Sequence, residues 1–187
     1  MNICVYCASS EKIDKSYIET GENFGRQLAK KGHTLVFGGG KFGVMGAISR
    51  GIKQEKGNII GVVPKFIEDL DVVDSDCQLI RTTTMRERKQ IMEEKSDAFV
   101  MLPGGIGTFE EFFEILTLKQ LNQHSKPIVL YNINGYFNNL INMLEDAIEQ
   151  KFMSPKCREL YFISQNEEEI FNYLNNYKPS AYDKYSY

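Results

Sequence analysis

The chain has 187 residues, a length that predicts a single domain. Hydrophobic residues make up 42% and charged residues 25% of it, a balance that is typical of globular proteins and argues against fibrous or disordered architectures. Its 22 basic and 25 acidic residues nearly cancel, which argues against a nucleic-acid-binding surface, and no apolar run approaches the ~18–20 residues that cross a bilayer.

Short apolar runs alternate with longer amphipathic segments along the chain. The pattern predicts strands over residues 3–7, 34–37, 59–63, 78–80, 98–102, 127–131 and 160–164, and helices over residues 14–31, 43–56, 84–95, 108–122, 136–150 and 167–175. Several strands are apolar throughout, as expected for strands covered on both faces. We therefore predict an α/β fold, a doubly wound and mostly parallel sheet with helices on both faces, in which ligands bind at the carboxyl ends of the strands.

The two ends of the chain and one long connection carry further predictions. No basic segment precedes the first apolar run, so we expect no secretory signal and a cytoplasmic location. Residues 64–76 read as an acidic loop able to cover a site. Residues 1–176 are predicted to form one α/β domain, and residues 177–187 a polar, tyrosine-rich tail that is loosely held.

The first two cysteines, Cys4 and Cys7, have C-x-x-C spacing, which occurs in redox pairs and in zinc sites. They lie within an apolar run at the start of the chain, and no second C-x-x-C or H-x-x-H motif follows. Ordinary core cysteines are the favoured interpretation.

A first glycine cluster follows the strand at 34–37. Gly38, Gly40 and Gly43 match G-x-G-x-x-G between a strand and a helix, where backbone N–H groups can approach a phosphate. A dinucleotide site would also need an acidic residue at the end of the next strand, where the sequence has Pro64 and Lys65. A phosphate loop, a structural tight turn and a dinucleotide fingerprint all remain open.

A second glycine cluster follows the strand at 98–102 and reads Pro103-Gly104-Gly105-Ile106-Gly107-Thr108-Phe109-Glu110-Glu111. Thr108 can cap the following helix, and the glutamate three residues later can complete a capping box. A carboxylate near the positive end of a helix is also expected to stay ionised, which suits a base or a stabiliser of positive charge. Capping and catalysis are both open roles for Glu111.

The helix predicted over residues 84–95 places cations on its apolar face. Met85 and Met92 point the same way, and Arg88 and Lys89 flank that face. Buried cations are costly unless they meet an anion, so one interpretation is an anion-binding pair. In the other, both side chains extend to solvent along their apolar stems.

The helix predicted over residues 108–122 is apolar around most of its circumference. Phe109, Phe112, Phe113 and Leu116 form one stripe, and Leu118 lies on another side. One sheet cannot cover such a helix, so we predict either a two-fold dimer interface or enclosure within the subunit.

Taken together, these motifs resemble those of one known family. The second cluster matches P-G-G-x-G-T-x-x-E, the signature of the Lonely Guy (LOG) family of cytokinin riboside 5′-monophosphate phosphoribohydrolases, often mislabelled as lysine decarboxylases. Further stretches match in order and spacing, namely Cys7-Ala8-Ser9-Ser10, Gly38-Gly39-Gly40-x-x-Gly43-x-Met45-Gly46, Val63-Pro64-Lys65 and Met85-x-x-Arg88-Lys89. The resemblance extends from the first strand to about residue 155.

The resemblance implies a Rossmann-like, nucleotide-binding homodimer that hydrolyses the N-glycosidic bond of AMP-like or cytokinin nucleoside 5′-monophosphates, without a metal or redox cofactor. It implies Arg88 and Glu111 as catalytic residues. The residues that it implies to bind substrate are Ser9, Gly39, Gly40, Gly43, Met85, Lys89, Gly104, Gly105, Ile106, Gly107, Thr108, Phe109, Glu110 and Thr117. The alternative is a non-catalytic nucleotide or molybdenum-cofactor carrier of the same fold, since fold alone does not separate the two.

Overall fold

The structure is a computed structural model and describes residues 1–182. Its strands are β1 Asn2–Tyr6, β2 Thr34–Phe37, β3 Ile59–Pro64, β4 Gln78–Thr82, β5 Ala98–Met101, β6 Ile128–Tyr131 and β7 Phe162–Ser164. Its α-helices are α1 Lys15–Lys30, α2 Gly43–Gln54, α3 Lys65–Glu68, α4 Met85–Glu94, α5 Ile106–Gln120, α6 Asn138–Glu149 and α7 Glu167–Asn176. Two 3₁₀ turns cover Ile133–Gly135 and Pro155–Leu160.

The strands form one sheet in the order β4-β3-β2-β1-β5-β6-β7, and every neighbouring pair is parallel. The predicted α/β class and doubly wound sheet are thus confirmed. Strand order reverses at β1, whose neighbours are β2 on one side and β5 on the other. Such a reversal opens a crevice at the carboxyl ends of the central strands, where ligands of these folds bind.

Two hydrophobic layers cover the two faces of the sheet. On one face α1, α2 and α7 contribute buried side chains such as Phe24, Ile48 and Phe171. On the other, α4, α5, α6 and the second 3₁₀ turn contribute residues such as Met92 and Phe112. Because both faces are covered, the central strands are apolar throughout, which explains the continuous apolar runs of the sequence.

Most predicted elements are present with shifted ends, and the difference at the start of α5 bears on the site. Helix α5 begins at Ile106 rather than at residue 108, because Gly105 takes the extended N-cap position. Strand β4 continues to Thr82, and the predicted loop over residues 64–76 begins with the short helix α3. The last predicted strand shortens to β7, because residues 155–160 form a 3₁₀ turn.

The C-terminal segment contacts the end of α5. The backbone N–H and C=O of Tyr182 pair with the side-chain amide of Asn122 at 2.9 and 2.8 Å. Residues 183–187 of the predicted tail lie outside the described residues, and the division of domain and tail stays a prediction. Within residues 1–182, no helix is both long and apolar enough to cross a membrane.

Candidate active site

A cavity of about 340 Å³ opens at the carboxyl ends of β1, β2 and β5, where the strand order reverses. Its lining consists of Val5, Tyr6, Cys7, Ala8, Ser9, Gly38, Met45, Met85, Arg88, Gly105, Ile106, Gly107, Thr108, Glu110 and Glu111. Both residues expected to be catalytic are therefore brought to one cavity.

Arg88 extends from α4 into this cavity and is only 8% exposed. Its Nε donates to the carbonyl of Val62 at 3.1 Å, and Nη1 lies 3.6 Å from the sulfur of Met85. Among residues 1–182 its guanidinium forms no ion pair. Since a buried cation is costly without an anion, this arrangement favours an anionic ligand. Gly38 permits the geometry, because a Cβ there would lie 2.0 Å from Nη2 of Arg88.

Glu111 is half-buried in the first turns of α5 and lines the same cavity. Burial, opposed by the charge of Arg88, raises the pKa of Glu111 to about 7. This differs from the expectation that the helix terminus keeps the carboxylate fully ionised at neutral pH. The loss of hydration outweighs the helix end because Glu111 lies more than one turn inside the helix.

The capping-box alternative for Glu111 is wrong. Gly105 is the N-cap of α5 and no side chain caps it, so Thr108 lies inside the first turn and Glu111 beyond it. The N–H groups of the first turn have no partner within the helix and are available to a ligand. A Cβ at Gly105 or Gly107 would meet no protein atom within 4 Å, so packing does not require glycine there.

The side chain of Lys89 makes different contacts from that of its neighbour Arg88. Its ammonium forms ion pairs with Glu110 and with Glu114, the latter at 2.8 Å, and it does not line the cavity. Partial burial acts to lower the pKa of Lys89, but hydrogen bonds to the two carboxylates outweigh it and the pKa is raised. The two predicted cations thus separate: Arg88 faces the cavity and Lys89 joins α4 to α5.

The first glycine cluster lies beside the cavity, and close packing explains three of its members. A Cβ at Gly39 would lie 2.3 Å from Val63, and one at Gly40 would lie 2.7 Å from the sulfur of Met45. Gly43 has a φ of +61° and lies against the backbone of residues 8–10. Of this cluster, Gly38 alone belongs to the cavity lining. The geometry favours the tight-turn interpretation over a phosphate loop.

The remaining predicted substrate contacts divide into two groups. Ser9, Met85 and Ile106 line the cavity. Gly104, Phe109 and Thr117 do not. Gly104 packs closely under the Thr108 hydroxyl, Phe109 stacks with Tyr136, and Thr117 is exposed on a later turn of α5.

Several cavity residues were not among those that the resemblance implied to be catalytic or to bind substrate, although Gly38 was a member of the candidate phosphate loop. They are Val5, Tyr6, Cys7, Ala8, Gly38 and Met45. The available signal was topological, because the first four end β1 or follow it at the central crevice. Cys4 and Cys7 face opposite layers of the core, and burial raises the pKa of both thiols. In the described part of the chain no three His, Cys, Asp or Glu side chains are grouped as metal ligands.

Comparison with known proteins gives one consistent set of relatives. The model of the family described as "possible lysine decarboxylase" matches residues 45–174. Cytokinin riboside 5′-monophosphate phosphoribohydrolase LOG3 of Arabidopsis thaliana is 36% identical over 178 residues, covering 95% of this chain and 83% of that protein. The probable phosphoribohydrolase LOGL6 of Oryza sativa subsp. japonica is 35% identical, covering 95% of this chain and 71% of that protein.

Solved structures with the same fold include molybdenum-cofactor proteins. The molybdenum cofactor binding protein of Rippkaea orientalis aligns with a TM-score of 0.68 at 21% identity, over 93% of this chain and 94% of that one. The cofactor carrier protein of Chlamydomonas reinhardtii aligns with a TM-score of 0.69 at 22% identity, with the same coverage. At such identities the likeness shows the fold and no shared ligand.

Proposed function

Since this chain belongs to the LOG family, whose curated relatives are named phosphoribohydrolases, we propose that it hydrolyses the N-glycosidic bond of a nucleoside 5′-monophosphate. Water adds its oxygen to C1′ of the ribose as the bond from C1′ to the base nitrogen breaks. The base leaves with a proton, and the products are free base and ribose 5-phosphate. AMP and its N6-prenylated cytokinin analogues are the proposed substrates.

The observation that supports this proposal most is the environment of Arg88. A buried guanidinium without an ion pair among the described residues faces the same cavity as the Glu111 carboxyl and the uncapped N-terminus of α5. The helix N-terminus suits the 5′-phosphate, and the guanidinium provides a second anion contact. A nucleoside monophosphate supplies both a phosphate that can pair with the guanidinium and a ribose on which the Glu111 carboxyl can act.

Glu111 is proposed to act on the ribose. Cleavage at C1′ proceeds through an oxocarbenium-like state, as in glycoside hydrolysis. A carboxylate fixed on the cavity wall stabilises that positive charge, or takes a proton from the attacking water, and a charge that is already in place needs no reorganisation during the reaction. With its pKa raised to about 7, the Glu111 carboxyl can also exchange protons near neutral pH.

The base is proposed to contact two apolar side chains at the cavity mouth. Ile106 is 88% exposed and Met85 is 37% exposed, and both line the cavity. Exposed apolar groups beside a polar cavity provide surface for a planar base or an apolar substituent. Each added methylene contributes only ~1–3 kcal/mol of discrimination, so AMP and a prenylated analogue are both compatible with this mouth.

The geometry does not favour lysine decarboxylation. That reaction with pyridoxal phosphate needs a lysine for the Schiff base, and no lysine lines the cavity within residues 1–182. Lys89, which follows the cavity residue Arg88 in the sequence, is paired instead with Glu110 and Glu114.

The proposal predicts that purified protein releases free base from AMP or from isopentenyladenosine monophosphate. Chromatography of the reaction should show adenine or its prenylated form together with ribose 5-phosphate, and adenosine without the phosphate should react far more slowly. Recovery of intact nucleotide alone would reject the enzyme. Nucleotide binding by calorimetry without base release would instead favour the carrier alternative.

We further propose that the protein is a homodimer formed through α5. Phe109, Phe113 and Leu118 remain only half-buried in the single chain, and Leu121 at the end of the helix is 45% exposed. A second copy would cover this surface, and a two-fold arrangement satisfies both copies equally.

Light scattering at micromolar concentration is therefore expected to give the mass of two 21.5 kDa chains. Leu118→Glu should convert the dimer to monomer or aggregate, because it places a charge in the apolar surface. Ile163→Glu, which charges an exposed position on β7, should leave the dimer intact. A monomeric wild-type protein would refute the interface.

A further inference from the structure

Tyr136 makes a contact with the second glycine cluster from outside the cavity. Its hydroxyl donates a hydrogen bond to the carbonyl of Gly104 at 2.6 Å. Tyr136 follows the 3₁₀ turn Ile133–Gly135 after β6 and does not line the cavity. The adjacent carbonyl of Pro103 is held differently, by the backbone N–H of Ala8 at 3.1 Å.

The bonded carbonyl belongs to the same peptide unit as the N–H of Gly105. A trans peptide is planar, with its C=O and N–H antiparallel, so fixing the carbonyl also fixes the N–H in the opposite direction. Gly105 is the N-cap residue of α5, where no side chain makes a capping hydrogen bond, and it lines the cavity. We propose that Tyr136 is a positioning residue, which aims the Gly105 N–H at the 5′-phosphate of the substrate by holding the Gly104 carbonyl from behind. This inference rests on the proposed function.

The position of the Tyr136 ring does not depend on its hydroxyl. The ring packs edge-on against Tyr17 at 6.0 Å and Phe137 at 5.1 Å, and lies parallel to Phe109 at 6.5 Å between centroids. The preceding turn is held by two backbone hydrogen bonds: the N–H of Gly135 donates to the carbonyl of Asn132 at 3.1 Å, and the N–H of Tyr136 donates to the carbonyl of Ile133 at 3.0 Å. Burial raises the pKa of the Tyr136 phenol, so the hydroxyl stays protonated and able to donate at neutral pH.

The test removes the hydroxyl and keeps the ring. Wild type and Tyr136→Phe are titrated by calorimetry with inorganic phosphate, ribose 5-phosphate and adenosine. Loss of one hydrogen bond that orients a charged contact should weaken both phosphate ligands about three- to tenfold. Adenosine affinity should be unchanged, and KM for AMP should rise by the same factor while kcat changes less than about twofold.

Tyr17→Phe is the matched control, because it removes a hydroxyl from the same aromatic cluster and should alter none of these values. Melting temperatures of both variants show whether they remain folded, and a structural defect would weaken adenosine together with the phosphates. Three results would each overturn this inference and leave the proposed function standing. The first is equal affinity of wild type and Tyr136→Phe for the phosphate ligands, and the second is an equal weakening of adenosine binding. The third is a fall in kcat at constant KM. Failure of the wild type to bind either phosphate ligand would overturn the phosphate site and the proposed function with it.

Discussion

Replacing Glu111 by glutamine is expected to lower kcat for AMP hydrolysis by about 10²–10³-fold, the effect of losing one preorganised electrostatic group. Glutamine has nearly the same size and keeps a polar side chain in the cavity, so the change removes little but the charge. KM should change less, because the positive charge at C1′ exists mainly in the transition state. Base release followed by chromatography under saturating AMP measures the effect.

Glu114→Gln provides the matched control on the same helix. Glu114 pairs with Lys89 and does not line the cavity, so its substitution should change kcat less than about twofold. Near-wild-type kcat for Glu111→Gln would contradict the catalytic role. Because the structure excludes the capping box, a large loss could not be explained by a weakened helix start.

Glu111→Gln should raise the stability of the folded protein although it lowers the activity. Burial raises the folded-state pKa of Glu111 from an ordinary value of 4.5 to about 7. Between these values the folded protein binds more protons than the unfolded chain, so this group lowers stability as pH rises through that range. Glu111→Gln should therefore melt higher than wild type at pH 8, with a smaller difference at pH 5. An inactive variant that melts higher is folded, and its lost activity is chemical.

The pH dependence of turnover distinguishes two roles of the carboxyl. If the ionised form acts, kcat/KM of the wild type should rise as pH increases through about 7, the raised pKa of Glu111. The residual activity of Glu111→Gln should lack this step, while ionisation of the substrate phosphate affects both proteins alike. A wild-type rate that falls as pH rises through the same range would instead identify Glu111 as a proton donor.

Much of the fold could be predicted from periodicity, because a parallel sheet covered on both faces leaves continuous apolar strands separated by amphipathic helices. Helix starts were less predictable. Threonine is a common N-cap residue, yet the helix begins before Thr108 and Gly105 takes the N-cap position in an extended conformation. Because the N-cap lies three residues earlier than Thr108, Glu111 is not in a capping position, and it lines the cavity.

The site could be predicted where residues follow central strands, and less well where a side chain acts from elsewhere. Arg88 and Lys89 are neighbours with similar charge, and only the packing of α4 against α5 shows that Glu110 and Glu114 bind the lysine. Tyr136 gave no signal in the sequence, because its partner is a backbone carbonyl more than 30 residues away. Long-range contacts to the main chain depend on the folded geometry and leave no spacing pattern.

Arg88→Ala is expected to raise KM for AMP by on the order of 10- to 100-fold, because it removes hydrogen bonds from a charged donor to an anion. kcat should also fall, but kcat/KM for adenosine should fall much less than for AMP if the guanidinium contacts the phosphate. Arg86→Ala, on the exposed side of the same helix, should behave like wild type. Loss of kcat with unchanged KM would assign Arg88 to the transition state rather than to ground-state binding.

Gly38→Ala tests the position of the Arg88 side chain without substituting Arg88 itself. The added methyl group would lie 2.0 Å from Nη2 of Arg88, so the guanidinium must move although its charge and all other cavity side chains remain. If the position of Arg88 matters, Gly38→Ala should reproduce the rise in KM of Arg88→Ala, and combining the two changes should add little, because residues in one contact are not independent. Additive effects would mean that Gly38 acts on the substrate directly, through the close approach that a bare backbone allows.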